Sequence, residues 1–295
     1  MLKISKISFP GLGIGEFEVN SEALRLFDNV SIAWYALIIT CGMIAAVAYA
    51  TWRAKKIGIT PEDVIDYALF TIPIGIIGAR LYYVFTKLED FHSFMDVISI
   101  WNGGLAIYGG IIAGGLTVLA VSYFKKINFL AFADCVAPAV LLAQGIGRWG
   151  NFMNGEAYGG QTDWFCRMGL QNNNAFADFA TSEMVFVHPT FLYESLWNIL
   201  GFTLVHLFTK HKQYDGQQFL MIFGWYGLGR MFIEGLRTDS LYSTLFGWEF
   251  RTSQVLAAVI FVITAALLIY FMFRKPSRPL YVKPATPEKK KVNKK

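Results

Sequence analysis

Hydrophobic residues come in seven long runs along this chain, and polar residues gather in the short segments between them. The runs lie at roughly 31–52, 64–86, 103–124, 129–148, 188–209, 217–235 and 252–273. Each run is close to the length of about 20 residues that a helix needs to cross the hydrocarbon core of a bilayer. The pattern predicts an all-α polytopic membrane protein with seven transmembrane helices.

The composition points the same way. Hydrophobic residues make up 55% of the chain and charged residues only 16%. A soluble domain carries about 25% charged residues. A soluble globular class is therefore excluded.

The distribution of lysine and arginine predicts the orientation, because cytoplasmic loops are enriched in both. With the N-terminus outside, sixteen of these residues fall in cytoplasmic segments and seven in external ones. We therefore expect an external N-terminus and a cytoplasmic C-terminus. Residues 1–30 then form an external arm, a short strand or interfacial segment. Residues 31–273 form the transmembrane domain, which includes a small external head at 149–187, and residues 274–295 form a basic cytoplasmic tail near anionic lipid.

A polar cluster follows the fourth hydrophobic run. Arg148, Asn151, Asn154 and Glu156 lie close together where the chain leaves the predicted span. Ionisable groups at membrane depth are costly and mark functional sites by default. Arginine suits a phosphate, because its planar fork donates two parallel hydrogen bonds to anionic oxygens. The cluster predicts a site for an anionic lipid, open to the outer face.

The sixth run carries a second polar group. Tyr226, Arg230 and Glu234 are spaced four residues apart, and Arg237 follows three residues later. Helical geometry places all four along one stripe. The stripe is either a cationic patch for the lipid or an internal ion pair that locks helices together. Both interpretations hold together if Glu234 orients Arg230.

Four other polar residues lie in the predicted spans, and three of them have two interpretations. Arg80 either joins the site or extends its charged end to the membrane interface. Tyr35 on physical grounds is an aromatic-belt residue. The acids Asp134 and Glu194 serve either a proton pathway or helix bonding, and we favour helix bonding.

The third run contains three glycine pairs. Gly110 and Gly114 are spaced for tight helix contact, and the alternative is a groove left open for a lipid chain. The chain has no Gly-Lys-Ser/Thr loop, no Gly-x-Ser-x-Gly elbow and no His-Glu-x-x-His pair, and its histidines are scattered. These absences argue against an ATPase, a serine hydrolase and a zinc protease. A transporter of a lipid or anionic solute is the main alternative to an enzyme, and a receptor-like scaffold is the third.

From Gly147 to Gly160 the sequence resembles the bacterial phosphatidylglycerol–prolipoprotein diacylglyceryl transferases. The family motif Gly-Arg-x-Gly/Ala-Asn-Phe-hydrophobic-Asn-x-Glu-x-x-Gly is matched at every fixed position. Further matches are Trp34-Tyr35, Gly78-Ala79-Arg80, His188-Pro189-Thr190 with Tyr193-Glu194, and the segment from Tyr226 to Arg237. The resemblance extends over nearly the whole chain.

The resemblance implies a reaction. Members of the family transfer a diacylglyceryl group from phosphatidylglycerol onto the lipobox cysteine of a prolipoprotein signal peptide, and glycerol phosphate leaves. The implied partners are therefore that lipid, that peptide and the lipid bilayer, with no nucleic acid, no cofactor and no metal. The implied location is the bacterial cell membrane, with several spans and the active site toward the outer face.

The resemblance also implies roles for single residues. Arg148 grips the lipid phosphate, and Arg230 stabilises charge on the leaving phosphate. The other positions that the family needs for activity are Asn151, Glu156, Gly159, Tyr35 and Glu234. To these we add the substrate-binding candidates Asn154, Tyr226, Arg237 and Arg80.

One position departs from the family pattern. Some members carry histidine before the glycine pair of the third span, where it has been considered as the base. Here that position is Tyr108, and a phenol is a poor base at neutral pH. We therefore keep Tyr108 among the catalytic candidates as a hydrogen-bonding and positioning residue.

Overall fold

The computed structural model describes residues 4–27, 30–172, 183–238, 242–245, 248–274 and 279–284. This part of the chain is mainly helical. Its helices are α1 Trp34–Lys55, α2 Pro61–Thr86, α3 Phe94–Ile98, α4 Ile107–Lys125, α5 Phe129–Asn154, α6 Thr190–Phe208, α7 Gln217–Ile233 and α8 Thr252–Phe273. The lysines of the predicted tail at 289–291, 294 and 295 lie outside the described residues.

Six helices of the described chain are long and apolar enough to cross a membrane: α1, α2, α4, α5, α6 and α8. The protein is thus a multi-pass membrane protein, as the hydrophobic runs predict. The run at 217–235 is also a helix, but α7 has 17 residues and is not among the six. A 3-10 turn, Glu234–Leu236, continues it. A seventh span remains a prediction.

A local sequence signal marks the start of α2. The Thr60 side chain accepts a hydrogen bond from the backbone N–H of Asp63 at 3.3 Å, and the Asp63 carboxylate accepts one from the N–H of Thr60 at 3.2 Å. This capping box, with Pro61 in the first turn, begins α2. Such caps satisfy backbone donors that a helix start leaves free.

The all-α class is too narrow, because the described chain also forms three small antiparallel sheets. One has four strands in the order β2-β1-β5-β6, and the other two are the hairpins β3-β4 and β7-β8. The strands are β1 Ile4–Phe9, β2 Ile14–Asn20, β3 Glu22–Phe27, β4 Val30–Ala33, β5 Met168–Asn172, β6 Val185–Val187, β7 Tyr242–Leu245 and β8 Trp248–Arg251.

The four-stranded sheet joins two segments that the sequence suggests are separate, the arm and the head. Ile7 of β1 is paired with Leu170 of β5, so the short strand expected in the arm completes a sheet in the head. The pairing joins positions far apart in the chain, which local periodicity does not reveal. The apolar side of this sheet packs against Tyr158 and Phe191, and thereby supports the segment 155–160 and the start of α6.

The chain divides into two compact units. The first comprises Met1–Ala46 and Val136–Arg278, and the second comprises Val47–Cys135 and Pro279–Lys295.

In the second unit, α2 and α4 pack closely through glycines. A Cβ on Gly109 would lie 2.3 Å from the carbonyl oxygen of Gly78, and one on Gly110 would lie 3.5 Å from that of Gly75. The close packing predicted for the third run is therefore confirmed, with α2 as the partner. Its tightest point is Gly109 rather than the Gly110–Gly114 pair, because Gly109 directly opposes another glycine.

Part of the predicted tail is also well defined in the second unit. Lys283 forms an ion pair with Asp63 and donates its backbone N–H to the carbonyl of Ile57 at 2.8 Å. Asp63 also pairs with Lys125 at 3.0 Å. The start of α2, the end of α4 and residues 279–284 are thereby tied together.

Candidate active site

Glu194, in the second turn of α6, is the centre of the polar cluster in the first unit. Its carboxylate pairs with Arg148 of α5, with Nη1 of Arg230 in α7 at 3.4 Å, and with Nη1 of Arg237 at 3.1 Å. The helix bonding favoured for Glu194 is confirmed, since one acid joins three chain segments. We call Glu194, Arg148, Arg230, Arg237 and Glu234 the Glu194 cluster.

Glu234 holds the second carboxylate of the cluster. Its Oε2 lies 2.6 Å from Nη2 of Arg230, and its backbone carbonyl accepts a hydrogen bond from Arg251 at the end of β8. The predicted pairing of Glu234 with Arg230 is confirmed. The helix ends before Glu234, so Arg237 follows a 3-10 turn instead of continuing the helical stripe, yet it still reaches Glu194.

The Glu194 cluster has more positive than negative charge. Three guanidinium groups face two carboxylates, and buried charges are stable only when they are paired. The side chain of Arg148 is 24% exposed, against 10% for Arg237. Arg148 thus has the most exposed arginine side chain of the cluster, which makes this end of the cluster suited to an anion.

The segment after Arg148 forms a chain of polar contacts. Asn151 accepts a hydrogen bond from Nη1 of Arg148 at 3.5 Å and donates one to Glu156 at 3.2 Å, and Asn154 donates to the same oxygen of Glu156 at 3.1 Å. α5 continues to Asn154, beyond the predicted end of the span, so these side chains project from its last turns. Ala157, at a φ of 57°, lies in the turn that follows.

Gly159 lies where three backbone segments meet. Its N–H donates to the carbonyl of His188 at 2.9 Å, and a bridge pairs it with Arg237. A Cβ at Gly159 would lie 2.7 Å from the carbonyl oxygen of Leu236. Only glycine permits this close approach, which holds Arg237 against the start of α6.

Tyr35 lies beside the part of α5 that follows Arg148. Tyr35 packs against Gly150, where a Cβ would lie 2.8 Å from its ring, and it interacts electrostatically with Glu156 and Arg148. Tyr226 lies in α7, one helical turn before Arg230, and its role in the site remains a prediction. The structure therefore brings Tyr35 to the site, beyond the aromatic-belt interpretation.

Arg80 and Tyr108 belong to the second unit. The Arg80 guanidinium donates to the carbonyls of Asp96, Val97, Gly103 and Gly104 at 2.6–2.9 Å. We call this arrangement the Arg80 clasp. The Arg80 side chain is buried, and its guanidinium reaches the segment between α2 and α4. The Tyr108 ring lies 6.5 Å from that of Tyr82. Substrate roles for Arg80 and Tyr108 remain predictions.

The first unit contains a second polar group, of which the family resemblance indicated His188 and Tyr193 but not Cys166. The Tyr193 hydroxyl lies 3.3 Å from Nδ1 of His188 and 3.2 Å from the sulfur of Cys166. Burial lowers the pKa of the His188 imidazole, which favours its neutral form. Among the described residues, no group of three or more His, Cys, Asp or Glu side chains is placed to hold a metal ion.

Together the fold and the site define a class: a multi-pass helical membrane protein with a buried, net-cationic cluster where several helices begin or end. The family model for prolipoprotein diacylglyceryl transferase matches residues 21–270. The chain belongs to this family.

Similar proteins cover most of the chain. The phosphatidylglycerol–prolipoprotein diacylglyceryl transferase of Enterococcus faecalis is 42% identical over 267 residues, 90% of this chain and 94% of its own. Proteins of the same name from Listeria welshimeri and Streptococcus agalactiae are each 41% identical. The first match covers 88% of this chain and 92% of the relative, and the second covers 85% and 96%.

Proposed function

We propose that this protein transfers the diacylglyceryl group of phosphatidylglycerol to the lipobox cysteine of prolipoproteins, the first step of lipoprotein lipidation. Membership of the transferase family supports the reaction. The observation that carries the proposal is the Glu194 cluster, in which three arginines share one carboxylate and Arg148 is the most exposed of them. A phosphodiester is the anion that such a site in a membrane protein meets.

The proposal includes seven spans in the bacterial plasma membrane, with the N-terminus and the active site at the outer face. At about 1.5 Å per residue, the 17 residues of α7 extend about 26 Å, close to the hydrocarbon thickness of about 30 Å. The excess of lysine and arginine in the proposed cytoplasmic segments supports this orientation.

Arg148 and Arg230 have different roles toward the phosphate. Arg148 binds an oxygen of the phosphodiester, which replaces part of its interaction with Glu194. Arg230, held by Glu234, stabilises the negative charge that grows on the leaving phosphate. Such preorganised charge usually contributes more to catalysis than any other single effect.

The reaction is a displacement at carbon. The cysteine sulfur attacks the glyceryl carbon that carries the phosphate, a C–S bond forms, and the C–O bond breaks with its electron pair going to the phosphate oxygen. Glycerol phosphate leaves, and it takes up the proton of the thiol, directly or through water. Nearby arginines favour the thiolate, which is the nucleophile. For Tyr108 the proposal keeps the role of a hydrogen-bonding and positioning residue.

The test uses the purified full-length protein with phosphatidylglycerol and a lipobox peptide, and the peptide is weighed by mass spectrometry. We expect a diacylglyceryl mass gain on the cysteine, and we expect Arg148→Ala to reduce the rate by about 10²–10³-fold. Arg25→Ala removes an exposed arginine paired with Glu22 and serves as the control. An unmodified peptide, together with lipid binding to the same preparation, would replace this proposal with a transporter.

A further inference from the structure

Two tryptophans join α6 and α7 one helical turn from Glu194. Nε1 of Trp197 in α6 donates to the backbone carbonyl of Trp225 in α7 at 3.1 Å, and Nε1 of Trp225 donates to the carbonyl of Trp197 at 2.9 Å. The two rings stack with their centroids 4.2 Å apart and their planes at 17°. We call Trp197 and Trp225 the tryptophan pair. Each indole has a single N–H donor, and here each donor is used across the helix interface.

Two glycines make room for the tryptophan pair. A Cβ on Gly229 would lie 2.1 Å from Nε1 of Trp197, and a Cβ on Gly201 would lie 2.3 Å from Nε1 of Trp225. Each ring therefore lies over the glycine that comes about one turn after the other tryptophan. A shift of α7 along its axis would move each ring off its glycine and would break both hydrogen bonds. The pair thus fixes the register of α6 against α7.

This register decides where Arg230 lies relative to Arg148. Arg230 pairs with Glu234 four residues later, so the two move together with α7. Arg148 of α5 pairs with Glu194 of α6, and Ser195 also ties these two helices, since it donates to a backbone carbonyl of α5 at 2.8 Å. The ion pair between Arg230 and Glu194, at 3.4 Å, is a long contact that holds α7 only loosely.

We propose that the tryptophan pair positions Arg230 against the phosphate that Arg148 holds. The inference rests on the proposed function, in which Arg230 stabilises the charge that grows on the leaving phosphate. A misplacement of about 1 Å in such a group can lower the rate about 10²-fold. Trp197 and Trp225 are therefore positioning residues, which act through Arg230 on the chemical step and not on lipid binding.

Trp225→Phe tests the inference, because phenylalanine keeps an aromatic ring and lacks the N–H. The purified full-length protein is assayed with phosphatidylglycerol and a lipobox peptide, and the rate is expressed per folded molecule. We expect kcat to fall about 10- to 100-fold, while the Kd for phosphatidylglycerol in mixed micelles changes by less than about twofold. A matching loss of lipid affinity, or an unchanged kcat, would overturn the inference.

Gln218→Met is the matched control, because it weakens the same helix interface far from the site. The amide nitrogen of Gln218 donates to the carbonyl of Val205 at 2.8 Å and to the Thr209 hydroxyl at 3.0 Å. It lies about 18 Å from Arg230 along α7 at about 1.5 Å per residue. This variant should unfold at a lower temperature, as Trp225→Phe should, and keep its kcat. A comparable loss of kcat in Gln218→Met would overturn the specific role of the pair.

The reciprocal geometry gives a second check. Trp197→Phe removes the other N–H and should reproduce the loss of kcat. The variant that carries both substitutions should be only slightly slower than either single variant, because effects on residues that act as one unit are not additive. Losses that multiply would show two independent roles and would contradict a shared register.

The two proposals fail in different ways. If the wild-type protein forms no thioether, the proposed function is wrong and the positioning role falls with it. If the wild-type protein modifies the peptide and Trp225→Phe keeps its kcat, the proposed function stands and the role of the tryptophan pair is wrong.

Discussion

Arg148 and Arg80 are both arginines in helices that span the membrane, but they have different kinds of partner. In the second unit, Arg80 donates to four backbone carbonyls. In the first unit, Arg148 pairs with the carboxylate of Glu194 and contacts Asn151. A backbone carbonyl is fixed by the fold, whereas a carboxylate on a side chain can give way to a phosphate.

The charge of the groups around the two arginines also differs. The Arg80 clasp surrounds one cation with neutral dipoles, all from residues 96–104. In the Glu194 cluster three guanidinium groups share the side-chain carboxylate of Glu194, and a bound anion can replace part of that sharing. The partners of an arginine, more than its depth in the membrane, therefore indicate whether it is built to hold the fold or to bind a ligand.

Glu194→Ala should have the largest effect. Removing this acid leaves Arg148, Arg230 and Arg237 without their shared partner, and breaking a buried pair costs about 3–5 kcal/mol. We expect the free energy of unfolding to fall by this amount and diacylglyceryl transfer to be lost. Denaturant unfolding in mixed micelles measures the first, and the peptide mass assay measures the second.

Glu22→Ala is the matched control, because Glu22 pairs with Arg25 on an exposed hairpin. Its effect on unfolding should stay below about 1 kcal/mol. Equal stability of the two variants would mean that Glu194 does not hold the arginines together, and the contrast with Arg80 would lose its basis.

Arg80→Lys sharpens the comparison directly. A lysine has one nitrogen and cannot reach the four carbonyls as the planar guanidinium does, so we expect a loss of about 1–3 kcal/mol in the free energy of unfolding. Per folded molecule, transfer should fall less than in Arg148→Lys. Normal stability with a hundred-fold loss of kcat/KM would instead place Arg80 at the substrate.

Gly159→Ala tests the close backbone packing beside Arg237 of the Glu194 cluster. The new Cβ would lie 2.7 Å from the Leu236 carbonyl oxygen, and overpacking of this kind costs about 1–3 kcal/mol. We expect lower thermal stability and weaker transfer. A Cβ at Gly160 meets nothing within 4 Å, so Gly160→Ala should behave like the wild-type protein. Similar behaviour of both variants would show that the close approach at Gly159 is not needed.

Tyr108→Phe should have the smallest effect. A positioning hydroxyl that donates one hydrogen bond contributes about 0.5–1.5 kcal/mol, so kcat should fall by less than about tenfold. Steady-state kinetics measure turnover, and a separate binding assay measures the affinity for the lipid. Complete loss of turnover with intact lipid binding would make Tyr108 an essential catalytic group of the second unit.

Several features follow from the sequence alone. The hydrophobic runs identify the six spanning helices, because crossing a bilayer sets a minimum apolar length that can be counted residue by residue. Thr60 and Asp63 mark the start of α2, because a helix cap uses groups only three residues apart. Arg230 and Glu234 pair as expected, since residues four apart are neighbours on a helix.

Tertiary structure alone decided the rest. Glu194 became the centre of the cluster because α5, α6 and the end of α7 converge on it. Arg80 met backbone carbonyls, and the strand at residues 4–9 met its partner at 168–172. Sequence patterns report burial and neighbours within a few residues, whereas these contacts depend on how distant segments pack. That packing determines which arginine pairs with a carboxylate and which one is held by backbone carbonyls.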